Sequence, residues 1–346
     1  MKKEVFSILL VAMTMLLSAC SSDEFGAQTV TTGEETPVGK QVQLMLYTSH
    51  FQDYKANHRA APSGFTAYTP DKTTDMGIYM IKDGDSSYKE ERLRYASKWF
   101  AFFEADADKN YTVYGYMPKT EGMSSNVAVS PGVTTLTING IKPITTDDIC
   151  IITGVNETDD GLKEGEFGWH MANSNDNFFM YLLMDHLYAS VKFSLIVSEE
   201  YAQLRTIKLK TMTLKTDKAS VDAQVTLTHN TDGTSPITSV TYNTSTGDNC
   251  AAEIFNNAEG QALSSTTPIA VSACFAPTLS GNLTLFSTYD VYDSKGNLIR
   301  ANCEATNKIP NLEASRGQRV QLNMKVDPTY LYIMSDKDLD NLFTIE

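Results

Sequence analysis

The chain has 346 residues and carries 42 acidic against 28 basic side chains, a formal net charge of −14. A surface this negative repels nucleic-acid phosphates and anionic lipid headgroups, which excludes nucleic acid as a partner. The length admits two domains of ordinary size. The abundance of Tyr (17) and Phe (15), with Thr recurring throughout, favours strands over helices.

At the start, Lys2 and Lys3 precede an apolar stretch from Val5 to Leu17, which runs into Leu17-Ser18-Ala19-Cys20. A basic start, a short apolar segment and small residues at the cut make an export signal. The stretch falls short of the roughly 20 apolar residues that a membrane span needs. A cysteine directly after Leu-Ser-Ala resembles a bacterial lipobox, in which that cysteine is lipidated and becomes the new N-terminus. Residues 1–19 are therefore read as a signal peptide. Residues 20–40, polar and containing Pro37, are read as a lipidated flexible tether.

Order is expected from Val42. Val42, Leu44 and Leu46 share one face of a strand, and a polar segment from His50 to Pro62 follows. Strand signals recur at residues 76–81, 111–116, 135–138 and 149–152. The stretch from Asn177 to Tyr188 fits either a short helix or the start of a strand. Val191, Phe193, Leu195 and Val197 then alternate with Lys192 and Ser194. Ile207 and Leu209 share one parity while Met212 and Leu214 share the other, which predicts a β-bulge near Lys210-Thr211. Asp293-Ser294-Lys295-Gly296-Asn297 is a hairpin turn signal. Val320, Leu322, Met324 and Val326 alternate with Gln321, Asn323 and Lys325. Many short strands separated by turns predict an all-β fold of sandwich type, with one domain at 41–180 and a second at 181–346.

Catalytic chemistry has no foothold in this pattern. There is no G-x-S-x-G, no H-E-x-x-H, no phosphate-cradling glycine loop and no EF-hand loop. The five histidines are scattered; His170 and His186 could meet in space, but isolated histidines are usually surface or satisfied core groups. Asp336, Asp338 and Asp340 alternate, without the glycine turn or bidentate acid of a calcium loop. A non-enzyme with no metal site and no cofactor is expected. Trp99, Phe100, Phe102 and Phe103 beside Lys98 form either a sugar platform or a strand's core face. Apart from Cys20, the cysteines are Cys150, Cys250, Cys274 and Cys303. Three pairings are open to them, as is the reading of small buried thiols.

Taken together, these stretches resemble the fimbrillins, or type V pilins, of the Bacteroides group. The resemblance begins at Leu17–Cys20, where Ser21-Ser22-Asp23-Glu24 is similar to the family's acidic surface-export signal. It continues through Val42–Thr48, Arg59-Ala60, Asp75–Tyr79, Tyr111–Pro118, His186–Val197 and Tyr201–Lys210. The tail from Val326 to Asp340 is its most distinctive part. The resemblance implies two transthyretin-like β-sandwich domains in tandem and a structural, adhesive role. It further implies export as an outer-membrane lipoprotein anchored through Cys20, then a cut by a trypsin-like protease between Arg59 and Ala60. The first strand, carrying Val42, Leu44 and Leu46, would leave with the lipid. A neighbouring pilin subunit would then fill the groove by strand exchange.

The residues suit that course. Ala60 and Ala61 are small, Pro62 lies beyond the bond, and Asn57, His58 and Ser63 suit an exposed loop. The candidate donor strand is the tail, with Leu331, Ile333, Leu342, Phe343 and Ile345; the other reading of the tail is a piece of the second domain. Stalk, tip and anchor roles all remain open, as do host or bacterial surface ligands or glycans as partners. The alternative is a monomeric surface glycan-binding lipoprotein.

Overall fold

The computed structural model describes residues 40–53, 65–68, 74–85, 90–95, 100–103, 108–171, 178–232, 234–279, 281–310 and 312–326. Among these residues the fold is all-β. In chain order the strands are β1 (Lys40–Thr48), β2 (Gln52–Asp53), β3 (Thr66–Tyr68), β4 (Thr74–Lys82), β5 (Glu90–Tyr95), β6 (Phe100–Phe103) and β7 (Lys109–Met117). Then come β8 (Ser124–Ser130), β9 (Val133–Ile141), β10 (Ile144–Thr145), β11 (Cys150–Asn156), β12 (Gly168–Met171), β13 (Phe178–His186) and β14 (Ala189–Val197). After the short helix α1 (Glu199–Leu204) follow β15 (Arg205–Thr228), β16 (Ile237–Ala262), β17 (Ile269–Phe275), β18 (Leu283–Asp293), β19 (Leu298–Ile309) and β20 (Gln318–Val326). No helix among the described residues is long and apolar enough to cross a membrane.

The strands form three sheets. The first has nine strands along the path β3-β1-β13-β11-β7-β4-β5, with β12 on β7 and β6 on β1. Its inward side chains from β1, β4, β7, β11, β12 and β13 share one apolar core. That sharing follows from curvature: β6 pairs with β1 at one side while β5, from the far edge, lies against β6. The opposite face of β4 and β7 carries Tyr79, Tyr114 and Tyr116. All three are buried in a second core with Val127, Leu136 and Ile138 of β8 and β9. Tyr79 donates to Ser125 Oγ at 3.0 Å, tying the first sheet to β8.

The second sheet runs β10-β17-β14-β20-β2, and the third runs β19-β18-β15-β9-β8 with β16 on β15. β2, β9 and β10 precede residue 180 in the chain yet pair with β20, β15 and β17.

Local expectations are met where period-two patterning is strict. In β14, Val191, Phe193, Leu195 and Val197 are buried while Lys192 and Ser194 are half-buried. β20 lies parallel to β14, with Val320, Leu322, Met324 and Val326 turned toward the core and Gln321, Asn323 and Lys325 exposed. The parity switch in β15 is a bulge: its register with both β16 and β18 shifts between Leu209 and Thr211. The β18–β19 turn closes as its residues predict. Asp293 Oδ1 accepts from the backbone N–H groups of Lys295 at 2.9 Å and Asn297 at 2.8 Å, and Gly296 takes a φ of 84°. The ambiguous stretch before Tyr188 is the strand β13, because Met180, Leu182 and Met184 all enter the first core. Cys150, Cys250, Cys274 and Cys303 are free thiols.

Candidate assembly site at the first strand

β1 is an interior strand of the first sheet. It runs parallel to β13, with Val42 opposite Phe178 and Thr48 opposite Met184. On its other side β6 pairs with Lys40–Gln43 and β3 with Leu46–Thr48, both antiparallel. Alternation puts Val42, Leu44 and Leu46 into the core, where they are 0, 3 and 4% exposed. The other face of β1 is half-buried, and there Tyr47 stacks on Tyr181 at 6.5 Å between centroids.

The chain leaves β1 through a tethered segment that reaches the second sheet. The Ser49 backbone N–H donates to Met184 O at 3.1 Å, and its hydroxyl donates to Asp185 Oδ1 at 2.7 Å. Phe51 stacks on His186, with centroids 3.7 Å apart, and the Arg319 guanidinium sits 5.3 Å above its ring. Gln52 and Asp53 then pair with Gln318 and Arg319 at the start of β20. The first strand's exit is thus held at the junction of β13 and β20.

A polar cluster underlies this exit. Arg316 Nη1 bonds Asp185 Oδ2 at 2.5 Å and the carbonyl of His186 at 2.9 Å. Ser235 donates to Asp185 Oδ2 at 3.4 Å. Burial raises the Asp185 pKa, but the Arg316 guanidinium and hydrogen bonds from Arg316 and Ser49 outweigh it and hold the carboxyl below the usual range. Glu164 responds in the other direction. Burial, with the Asp185 carboxylate adding repulsion against a smaller opposing pull from Arg316, pushes it up to about 7.

Beside this cluster, Asp148 Oδ2 accepts from His186 Nδ1 at 2.6 Å and from the Cys150 thiol at 3.2 Å. Burial, then the Asp148 carboxylate, pushes the Cys150 thiol well up.

The structure therefore gathers residues that sequence patterning did not connect. Ser49, Phe51, Asp148, Cys150, Asp185, His186 and Arg316 meet although up to 267 positions separate them. Of these, the sequence singled out only Cys150, as one of four thiols, and His186, as a histidine that could meet His170. His170 instead bonds Asn110 Oδ1 at 2.8 Å and lies 3.5 Å from Asp108. Of the sequence-derived site residues, Val42, Leu44 and Leu46 stand together on β1. Cys20, Arg59, Ala60, Leu331, Ile333, Leu342, Phe343 and Ile345 lie outside the described residues, as do Trp99, Asp336, Asp338 and Asp340.

No protein-family model matches the chain, and no curated protein does. Among solved structures, a fimbrial protein from Bacteroides vulgatus is similar over 81% of this chain and 95% of its own, at 12% identity and a TM-score of 0.33. A second fimbrial protein, from Bacteroides ovatus, is similar over 84% of this chain and 50% of its own, at 9% identity and a TM-score of 0.32. A Bacteroides uniformis protein assigned provisionally to cell adhesion is similar over 83% of this chain and 93% of its own, at 11% identity and a TM-score of 0.38.

Proposed function

We propose that this chain is a structural and adhesive subunit of a bacterial surface fimbria, delivered as a lipoprotein through Cys20 and assembled by strand exchange. The observation that carries this reading is the setting of β1. Three inward side chains of one short strand fill a shared core, and the strand's backbone is paired on both sides. Its departure would expose an apolar groove worth about 4–9 kcal/mol in lost burial, at roughly 1.5–3 kcal/mol per side chain. It would also leave the β13 edge with unpaired backbone groups. A donated strand with alternating apolar residues restores both terms. In this reading the cut falls between Arg59 and Ala60, so Ser49, Phe51 and β2 leave with β1. The tail carrying Leu331, Ile333, Leu342, Phe343 and Ile345 is the donor, and the two-domain division lies near residue 180.

The test treats residues 21–346 with trypsin under native conditions and maps the new N-terminus. The expected result is a single terminus at Ala60, loss of the first strand and a ladder of higher oligomers. A chain that resists cutting at Arg59, or is cut there and stays a stable monomer, overturns assembly by strand exchange. Truncation after Pro328 should then leave the fold intact and stop oligomer growth; unfolding of that variant would make the tail part of the core.

A further inference from the structure

We propose that Asp148, Cys150 and His186 form a binding site for a divalent transition metal, zinc by the chemistry of the donors. One ligand atom from each residue lies within 4.8 Å of the other two. The backbone builds this convergence. Cys150 and His186 are register partners across the antiparallel pair β11–β13, which places their side chains on one face. Asp148, two positions before Cys150 and just outside β11, reaches both side chains through its Oδ2.

A second observation points to a missing partner. Asp148 Oδ1, the carboxylate oxygen that neither His186 nor Cys150 engages, is buried with no hydrogen-bond partner, and His186 is only 3% exposed. Buried polar atoms are rarely left so, and a bound ion is one of the standard reasons. The ligand set is selective: thiolate, imidazole and carboxylate suit zinc, whereas calcium and magnesium call for oxygen alone. The Asp148 side chain, 24% exposed, gives the cation its route inward and leaves room for solvent as a fourth ligand.

The surroundings hold the ligands in place. Phe51 lies flat on the imidazole, 14° from parallel, and Arg316 fixes the His186 carbonyl at 2.9 Å. Without the metal, two protons hold the cluster together, one on Nδ1 and one on sulfur, both donated to Asp148 Oδ2. On binding, the thiol proton passes to solvent and the imidazole proton moves from Nδ1 to Nε2. The cation thus takes the place of both hydrogen bonds.

The experiment uses the full-length chain in detergent, stripped with chelator and titrated with Co²⁺ as a spectroscopic stand-in for zinc. The expected result is one cobalt per chain, thiolate-to-cobalt charge transfer in the near ultraviolet, tetrahedral bands in the visible, and displacement of all three by Zn²⁺. Cys150→Ser should abolish the charge-transfer band, and Cys303→Ser should keep it. Asp148→Asn, at a partly exposed position, should fold normally and weaken cobalt binding at least tenfold, so the proposal remains testable if Cys150→Ser fails to fold. Zinc should raise the thermal midpoint of the parent chain and not that of Asp148→Asn. Absence of the charge-transfer band in the parent chain, its survival in Cys150→Ser, or unchanged affinity in Asp148→Asn overturns the site.

Discussion

The ring of Phe51 lies on the imidazole of His186, with centroids 3.7 Å apart. Phe51 belongs to the segment that carries the first strand out of its sheet, and His186 ends the strand to which β1 is parallel. The contact, with Ser49 on Asp185, fixes where the first strand stops. Phe51→Ala should loosen this exit without touching the core face of β1. Limited proteolysis should show faster cutting between residues 53 and 64 in the variant, with a global thermal midpoint lowered by only a few degrees. Equal cutting rates would mean that the stack does not restrain the exit.

Leu44→Ala removes a side chain that is 3% exposed at the centre of β1. It should cost about 2–5 kcal/mol, as other buried leucines do. Met45→Ala, on the half-buried opposite face, should cost less than about 1 kcal/mol. Urea unfolding of the two variants measures both. Equal costs would show that the inward face of β1 contributes no more than its outward face.

Arg316→Ala would leave the Asp185 carboxylate mostly buried and without its cation, at a cost of about 3–5 kcal/mol. The sign of the pH dependence follows from the lowered Asp185 pKa. Stability from the pair is fully present above the unfolded value of 3.8 and is lost as pH falls through the lower folded one. The gap between the parent chain and Arg316→Ala, read as thermal midpoints, should therefore be wide at pH 7 and narrow in acid below pH 3.8.

Glu164 gives the opposite slope. With its pKa raised from 4.5 to about 7, the folded chain holds this proton more tightly than the unfolded chain. Its contribution is present below pH 4.5 and is lost as pH rises through 7. Glu164→Gln removes the charge at every pH. The variant should match the parent near pH 4.5 and melt several degrees higher at pH 8. A variant less stable than the parent at pH 8 would show that the ionised carboxylate is held by partners stronger than Arg316.

Gly115 of β7 stands opposite Ile78 of β4 in their antiparallel pairing. A Cβ there would lie 2.5 Å from the backbone oxygen of Gly77 and 3.0 Å from Ile152 Cδ1. Because the first of these is backbone, Gly115→Ala should force the strands apart and cost about 1–3 kcal/mol. Gly168 has open space around it and is the control: Gly168→Ala should be nearly neutral by thermal melting.

Several features were legible residue by residue because they obey local rules. Side chains on a strand alternate between faces, so the burial of Val42, Leu44 and Leu46 and the inner faces of β14 and β20 followed from parity alone. The bulge after Leu209 announced itself as a break in that parity. The turn at Asp293–Asn297 followed from residues that bond their own backbone. Other features had no local trace. The pairing of β9 with β15 joins residues far apart in the chain, and alternation specifies a strand's faces without naming its neighbour. His186 carried no mark of Asp148 or Phe51.

By itself, the sequence determined that the chain is all-β, acidic and without a recognisable catalytic motif. It also determined which face of each strictly alternating strand turns inward, because composition and a two-residue period act within a few positions. Only the tertiary structure decided that β1 lies inside its sheet, that Asp185 meets Arg316, and that Asp148, Cys150 and His186 converge. Those arrangements depend on which strand edges close their hydrogen bonds on one another, and that choice is made by the packing of the whole core.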